Sequence, residues 1–261
     1  MIVVKFGGHA MKDENGNFAK AIAAALDAGE QVVVVHGGGP QIDVALKAKG
    51  IVSTWVGGFR VTTKEIFDVV EDVLVNQVGH EVAATLGKAG IKAQAMSART
   101  LPTVIANRRT ELIDGTPADL GFVGNVQSVN PSALLELLNQ GIVPVVAPVS
   151  SDEDMAIGLN VNADFAAAAI AAALEASSLI VMTDVAGIYR NWPDKDSLID
   201  SITASELEDI KGGFAEGMAP KVQAALDALS FGAKAVRIID GTDPDSFASA
   251  LAGSGGTLVV A

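Results

Sequence analysis

Two lysines, Lys5 and Lys221, are candidates for residues that act on a ligand. Lys5 lies inside the apolar run IVVKF (2–6), just before a glycine pair, and Lys221 lies in GMAPKV (217–222), in the first turn of a predicted helix. A lysine in a strand is commonly an edge or snorkelling residue. A cation at a helix N-terminus, in contrast, opposes the helix dipole. Lys221 is therefore the strongest single candidate for a functional residue.

The stretch QVVVVHGGGPQID indicates an anion site between a strand and a helix. Val32–Val35 predict a strand buried on both faces, and three glycines and Pro40 then lead into an apolar-periodic segment. Glycines at such a junction let backbone N–H groups approach a ligand, and the helix N-terminus adds partial positive charge. A plain tight turn fits these residues equally well. The known nucleotide motifs are absent, since GxxxxGK[ST] does not occur and Ile42 breaks GxGxxG.

The segment NVNAD (160–164) opens another predicted helix, where Asn162 or Asp164 could be a cap. In combination with the lysines, a mechanism follows. Lys5 and Lys221, one from each half of the chain, could hold a phosphoryl group during transfer, with Asp164 orienting both ammonium groups and the glycine turn supplying N–H donors. Phosphoryl transfer depends mostly on positioning and charge neutralisation, which these residue types provide.

Composition excludes several classes of protein. The chain has 261 residues, of which 49% are hydrophobic and 19% charged, enough for a sizeable core. It has no cysteine, which excludes disulfides, thiolate metal sites and cysteine catalysis. The formal net charge of −13 argues against nucleic acid as the main partner. No uninterrupted apolar run is long enough for a membrane span, and the opening MIVVKF leaves no room for a signal peptide. We therefore expect a cytoplasmic protein.

Short β-branched runs alternate with alanine-rich segments, which predicts an α/β fold with a mostly parallel sheet covered on both faces. The predicted helices lie around 17–28, 40–49, 63–90 in two pieces, 131–141, 163–176, 203–211, 218–231 and 243–252. The region 101–130 differs, because its short strands separated by turn residues predict antiparallel hairpins that form a flap near one sheet edge. A boundary near residue 176 is expected, before SLIVMTD restarts the alternation.

The ordered set KFGGHAM, VVVVHGGGPQID, GFRVT, NVNAD, TDVAGIYRNWPD and GMAPKVQAALDAL resembles the amino acid kinase family over essentially the whole chain. It most resembles the branch that phosphorylates the γ-carboxylate of N-acetyl-L-glutamate, the second step of arginine biosynthesis. The resemblance implies a three-layer α/β/α sandwich. Residues 1–176 would bind the acyl amino acid and form a dimer, and residues 177–261 would bind ATP with Mg²⁺, the metal being held by phosphates and waters.

The resemblance also implies roles for individual residues. Catalysis is assigned to Lys5, Lys221 and Asp164. The acyl amino acid would be bound by Gly38, Gly39, Arg60 and Asn160, with the Arg60 guanidinium gripping a carboxylate. Nucleotide or phosphate binding is assigned to Gly7, Gly8, Asp184, Val185, Ala186, Gly187, Ile188, Tyr189, Gly213, Phe214 and Ala215. No protein-bound metal is implied. His36 and His80 are interpreted as structural, and His9 receives no role.

The chain begins at the first strand, whereas arginine-regulated members carry an extra N-terminal helix. The resemblance therefore implies an unlinked homodimer insensitive to arginine, with the apolar stripe of 63–80 as a candidate interface. Two alternatives stay open. One is a kinase of the same fold that acts on carrier-bound aminoadipate or glutamate. The other is a non-catalytic ligand-binding regulatory protein, which we would expect to have lost Lys5, Lys221 or Asp164.

Overall fold

The computed structural model describes residues 1–7, 16–99, 102–214, 217–243 and 245–261. The predicted site residues Gly8 and Ala215, together with His9, lie outside the described residues. The strands are β1 Ile2–Phe6, β2 Val32–His36, β3 Trp55–Val56, β4 Phe59–Arg60, β5 Ala93–Ser97, β6 Val104–Arg108, β7 Val123–Val129, β8 Val143–Ala147, β9 Val149–Ser151, β10 Gly158–Val161, β11 Ser178–Thr183, β12 Ser201–Thr203, β13 Ala235–Asp240 and β14 Thr257–Val260.

The helices confirm the predicted positions to within a few residues. They are α1 Asn17–Asp27, α2 Gly39–Ala48, α3 Lys64–Glu71, α4 Gly79–Lys88, α5 Ser132–Asn139, α6 Ala163–Ala173, α7 Ala204–Ile210, α8 Ala219–Ser230 and α9 Ser246–Leu251. A π-helical segment, Asp72–Val78, joins α3 to α4. Among the described residues, no helix is both long and apolar enough to cross a membrane.

Eight strands form one central sheet in the order β12-β14-β13-β11-β1-β2-β8-β5. All its pairings are parallel except that of β13 with β14. One core cluster on the sheet includes residues of α5, α6, α7 and α8, and a second includes residues of α1, α2, α3, α4 and α9. These two helical layers confirm the predicted α/β/α sandwich.

Strand alternation decides which layer each residue of β1 faces. Successive side chains of a strand point to opposite faces of the sheet. Val3 belongs to the cluster that contains α6 and α8, whereas Val4 belongs to the cluster that contains α1 and α2. Lys5, two residues after Val3, therefore points to the face covered by α6 and α8. This register brings a lysine to the helices that carry Asp164 and Lys221.

The region 101–130 folds partly as predicted. β6 and β7 pair antiparallel, which confirms the predicted hairpin. The hairpin does not form a separate flap. Instead, β9 and β10 pair with it and close a four-stranded barrel. β10 runs directly into α6, so the barrel abuts the start of the helix that carries Asp164.

The apolar stripe of 63–80 is not available as a dimer interface, and that prediction is wrong. Its apolar residues are buried in the core of the same chain: Ile66, Val69, Val70, Val73 and Leu74. The exposed face of α3 carries polar residues such as Lys64 and Asp68. The stripe is the core-facing side of an amphipathic helix. The homodimer itself stays a prediction.

Candidate active site

A cleft of about 550 Å³ opens where β1 and β2 end. Its walls are the end of β1, the glycine turn after β2, the β3–β4 hairpin, the β10–α6 junction and the start of α8. In parallel sheets, ligands bind outside the carboxyl ends of the strands. The cleft brings together eight of the predicted site residues, namely Lys5, Gly7, Gly38, Gly39, Arg60, Asn160, Asp164 and Lys221.

Asp164 joins the two lysines at the centre of this cleft. Lys5 Nζ lies 3.0 Å from Asp164 Oδ1, and Lys221 Nζ lies 3.3 Å from Asp164 Oδ2. Asp164 is held at the start of α6, where its N–H donates to Asn162 Oδ1 at 2.8 Å. Lys221 follows Pro220 in the first turn of α8. The two helices pack against each other, which fixes the distance between these side chains.

The electrostatics of this group favour an anionic ligand. Burial tends to raise the pKa of Asp164, but the charges and hydrogen bonds of Lys5 and Lys221 outweigh it and lower the pKa to about 2. Asp164 therefore stays ionised at neutral pH. Lys5, Lys221 and Asp164 together carry a net charge of one positive unit, and their site is only partly open to water. Fixed positive charge in such a site stabilises negative charge that develops on a transferred group.

Gly7 leaves space beside the ammonium group of Lys5. A Cβ atom at position 7 would lie 3.0 Å from Lys5 Nζ and 3.1 Å from Lys5 Cε. The same ammonium group donates to the carbonyl oxygen of Met182 at 3.4 Å, near the end of β11. A side chain at position 7 would therefore push the lysine away from the cleft or from Asp164.

The glycine turn presents the N-terminus of α2 to the cleft. Gly37 donates its N–H to the Phe6 carbonyl at 2.7 Å, and Ile42 donates to the Gly38 carbonyl at 2.9 Å. No side chain among the described residues caps α2. A Cβ at position 38 would lie 2.5 Å from Leu74 Cδ2, so a close approach requires glycine there. The free N–H groups and the helix dipole have the chemistry to bind an anionic oxygen.

Arg60 also lines the cleft, and one part of its guanidinium is unpaired among the described residues. Nη1 donates to Asp43 Oδ1 at 2.7 Å and to Ser53 Oγ at 2.6 Å, and the group stacks on Trp55 at 4.5 Å. Nη2 is buried and has no hydrogen-bond partner among the described residues. A buried unpaired donor is costly, so this atom is where a carboxylate of a ligand fits. Asn160, whose Nδ2 donates to Thr62 Oγ1 at 3.1 Å, lines the wall nearby.

The described residues of the predicted nucleotide-binding segments, Asp184–Tyr189, Gly213 and Phe214, do not line this cleft. Asp184–Tyr189 follow β11, whose end lies beside β1, but Gly187 and Ile188 pack against Thr257. A Cβ at position 187 would lie 2.5 Å from Thr257 Oγ1, and Ile188 N donates to that oxygen at 2.8 Å. Gly213 and Phe214 lie before α8, and Phe214 packs on the core. The nucleotide assignments for these residues stay predictions.

Sequence reasoning missed Arg109, which joins the barrel to α6. Its guanidinium carbon lies 4.5 Å from the ring centre of Phe59 and 5.2 Å from that of Phe165. Phe59 precedes Arg60 and Phe165 follows Asp164 in the chain. Arg109 also donates to the Glu111 carbonyl at 2.9 Å and to Asn125 Oδ1 at 3.1 Å. The pair RR in TVIANRR is visible in the sequence, but its aromatic partners are brought there only by the fold.

Comparison with known proteins identifies the family of this chain. The amino acid kinase family model matches residues 1–240. The chain is 44% identical to acetylglutamate kinase of Nocardia farcinica (strain IFM 10152), over 94% of this chain and 81% of that protein. It is 46% identical to acetylglutamate kinase of Bifidobacterium adolescentis, over 94% and 78% of the two chains. The solved structure of smu.665 from Streptococcus mutans UA159 superposes with a TM-score of 0.83 at 29% identity, over 99% and 98%. This chain belongs to the amino acid kinase family.

Proposed function

We propose that this chain transfers the γ-phosphoryl group of ATP to the γ-carboxylate of N-acetyl-L-glutamate and forms an acyl phosphate. The observation that carries the proposal is the convergence of Lys5 and Lys221 on Asp164 in a cleft that also holds Arg60 and the glycine turn. Relatives named acetylglutamate kinase, 42–46% identical over 92–94% of the chain, support this choice of acceptor.

The acceptor would be held at its two ends. Arg60 Nη2 has no partner among the described residues, and a guanidinium suits a carboxylate that does not react. Asn160 would bind the acyl amide or the same carboxylate. The reacting carboxylate would then reach Gly38 and Gly39 at the start of α2. It is already ionised at neutral pH, so attack needs no general base.

The transfer step would depend on the two ammonium groups. As the carboxylate oxygen bonds to phosphorus and the bond to the leaving oxygen of ADP breaks, negative charge is spread over the three phosphoryl oxygens, with the attacking and leaving oxygens in line. Lys5 would face the acceptor side and Lys221 the side of the nucleotide, while Asp164 holds both in place. When bound, MgATP supplies the phosphoryl group, and its metal ion screens the phosphate charge. The free donors of the glycine turn and the two lysines fit such a polyanion.

The nucleotide would occupy the C-terminal part of the chain. We assign residues 1–176 to an acyl-amino-acid lobe and 177–261 to an ATP lobe. The strand order supports this division, since β5, β8, β2 and β1 form one half of the sheet and β11, β13, β14 and β12 the other. Lys5 lies at the junction, where its Nζ contacts Asp164 and the carbonyl oxygen of Met182 in β11. Asp184–Tyr189 and Gly213–Phe214 would contact the nucleotide.

The proposal also includes a cytoplasmic homodimer with no nucleic-acid partner. The net charge of −13 is in keeping with a small-molecule substrate. Two-fold pairing is the commonest symmetry among soluble oligomers. Sedimentation equilibrium tests this part, and a monomer at all concentrations would contradict it.

An acceptor panel tests the proposal. ADP release is measured with ATP and either N-acetyl-L-glutamate, L-glutamate or L-2-aminoadipate, with the Lys221→Met variant as the control for background ATP hydrolysis. We expect rapid ADP release with N-acetyl-L-glutamate and little release with L-glutamate or L-2-aminoadipate. Glutamate bound to a carrier protein is added as a fourth acceptor, and ADP release with that acceptor only would favour the alternative kinase. Binding of N-acetyl-L-glutamate without ADP release would indicate a regulatory protein.

A further inference from the structure

His36 ends β2 at the point where the glycine turn begins, and its ring is fully buried. Nδ1 lies 2.8 Å from the carbonyl oxygen of Gly37. Because that oxygen can only accept, Nδ1 carries the proton and donates. Burial lowers the pKa of His36 to about 4, and the hydrogen bond to Gly37 opposes this shift only in part. The ring is therefore neutral at neutral pH, with its single proton on Nδ1.

Three successive peptide units make the turn, and each is held by a different contact. The unit between His36 and Gly37 is held by the Gly37 N–H, which donates to the Phe6 carbonyl at 2.7 Å. The unit after Gly38 is held through the Gly38 carbonyl, which accepts from Ile42 N at 2.9 Å. The middle unit, between Gly37 and Gly38, is held by the imidazole of His36. Glycines on both sides would otherwise let this unit rotate at little cost.

The orientation of the middle unit decides where the Gly38 N–H points. In a planar trans peptide, the C=O and the following N–H point in opposite directions. His36 draws the Gly37 carbonyl to its own side, so the Gly38 N–H is turned away from the imidazole. Gly37 and Gly38 line the cleft and His36 does not. The Gly38 N–H has no acceptor among the described residues, as expected for a donor kept for a ligand.

Stability alone does not explain a histidine at this position. Nε2 is buried without a hydrogen-bond partner among the described residues. An unsatisfied buried acceptor costs free energy of folding that an apolar side chain of similar size would avoid. Space for the ring is kept by Gly79, where a Cβ would lie 3.1 Å from Nε2. His36 thus supplies the Nδ1–H donor, and Gly79 leaves the space that the ring of His36 needs.

We propose that His36 is a positioning residue, whose Nδ1–H holds the Gly37 carbonyl so that the Gly38 N–H faces an anionic oxygen in the cleft. The identity of that oxygen, on the acceptor carboxylate or the transferred phosphoryl group, rests on the proposed function. Its negative charge does not, because the donor set itself selects an anion. His36 acts through the backbone and does not touch the ligand.

Two variants separate positioning from packing. His36→Leu removes the donor at similar volume, whereas His36→Asn keeps an N–H donor close to the place of Nδ1. We expect His36→Leu to lower kcat about 10- to 100-fold, less than the roughly 100- to 1,000-fold that removal of such an N–H donor itself typically costs. Its melting temperature and its dissociation constant for ADP should stay near those of the wild type. His36→Asn should recover most of the lost activity. Wild-type kcat in His36→Leu would overturn the inference, as would equal losses in both variants.

A binding experiment decides the same point without turnover. The backbone amide of Gly38 is followed by ¹H–¹⁵N NMR during titration with sodium phosphate. We expect the Gly38 resonance to shift in the wild type and in His36→Asn, and to shift much less in His36→Leu. No shift in the wild type, or an equal shift in His36→Leu, would overturn the role of His36. If the wild type fails to turn over the proposed substrates, the proposed function fails and this titration still decides the inference.

Discussion

Lys5 and Lys221 hold the two oxygens of a single carboxylate. Lys5 Nζ forms an ion pair with Asp164 Oδ1 at 3.0 Å, and Lys221 Nζ donates a hydrogen bond to Asp164 Oδ2 at 3.3 Å. The lysines come from opposite ends of the sequence, one from the first strand and one from α8. Two ammonium groups repel each other, and the shared carboxylate offsets that repulsion. The arrangement keeps both charges at one place before any ligand binds.

Removal of either ammonium group should abolish most of the activity. We expect Lys5→Met and Lys221→Met each to lower kcat about 100- to 1,000-fold, because under the proposed function each removes fixed charge that would stabilise the transition state. Circular dichroism should show an intact fold. Lys88→Met, a change of an exposed lysine in the last turn of α4, is the matched control. Activity close to that of the control in either variant would contradict the assigned roles.

The stability of the chain should depend on pH through Asp164. The folded-state pKa of Asp164, about 2, lies below its ordinary value of 3.8. The ionised carboxylate thus stabilises the fold above about pH 4, and the effect is lost as pH falls toward 2. The shift corresponds to about 2 kcal/mol, since one pKa unit is about 1.4 kcal/mol. Urea unfolding gives the free energy of unfolding of the wild type and of Asp164→Asn. The difference between these two free energies should shrink by about this amount as the pH is lowered from 5 to 2. A constant difference would count against the account.

Arg60 should control affinity for the acceptor. We expect Arg60→Lys to raise KM for N-acetyl-L-glutamate about 10- to 100-fold, because a lysine cannot supply the second donor of the guanidinium and a charged hydrogen bond contributes about 1.5–3 kcal/mol. KM for ATP should change little. Arg108→Lys, at an exposed arginine outside the cleft, serves as the control. A variant that changes only KM for ATP would contradict the assignment.

The glycine at position 38 should be required because of Leu74. The Cβ of Gly38→Ala would lie 2.5 Å from Leu74 Cδ2, and overpacking of this kind typically costs about 1–3 kcal/mol. Leu74→Val removes the conflicting methyl group. In urea unfolding, the double variant should therefore be more stable than the sum of the two single changes predicts. Simple additivity would show that the close approach is not what selects glycine.

Arg109 should couple the barrel to the catalytic helices. Burial lowers the pKa of Arg109, but Asp227 and Glu111 oppose the shift, so it remains a cation between Phe59 and Phe165. We expect Arg109→Leu to lower kcat/KM for the acceptor about 10-fold, because a small displacement of Arg60 and Asp164 beside these rings would misplace the ligand. Arg109→Lys should restore little, since a lysine lacks the planar stacking group. Arg108→Leu is the neighbouring control. Equal effects at 108 and 109 would indicate general destabilisation of the barrel.

The sequence predicted the central sheet and most helices because their signals are local. The run Val32–Val35 indicates a strand buried on both faces, and alanine-rich 163–176 indicates a buried helix, whichever partner each meets. Local sequence also explains on which face of the sheet the Lys5 side chain lies. Its two-residue spacing from Val3 places both on one face of the sheet. Neither prediction required knowledge of distant contacts.

Predictions that depend on distant contacts were incomplete. An apolar stripe such as that of 63–80 looks the same whether it faces a partner or its own core, and here it faces the core. The hairpin of β6 and β7 could be predicted, but its closure by β9 and β10 could not, because those strands lie far along the chain. The contact of Arg109 with Phe165 could not be predicted for the same reason, because the two residues lie far apart in the chain. The predicted nucleotide-binding segments show no local feature that distinguishes a nucleotide-binding loop from an ordinary packed loop.

The most direct test of the account is the product formed when both lysines are present and when one is removed. The enzyme is incubated with MgATP, N-acetyl-L-glutamate and hydroxylamine, and the hydroxamate formed from the trapped acyl phosphate is identified by mass spectrometry. We predict a γ-hydroxamate with the wild type and at least about 100-fold less with Lys5→Met or Lys221→Met. No hydroxamate from the wild type, or equal amounts from all three proteins, would contradict the claim that these two ammonium groups hold a phosphoryl group in transfer.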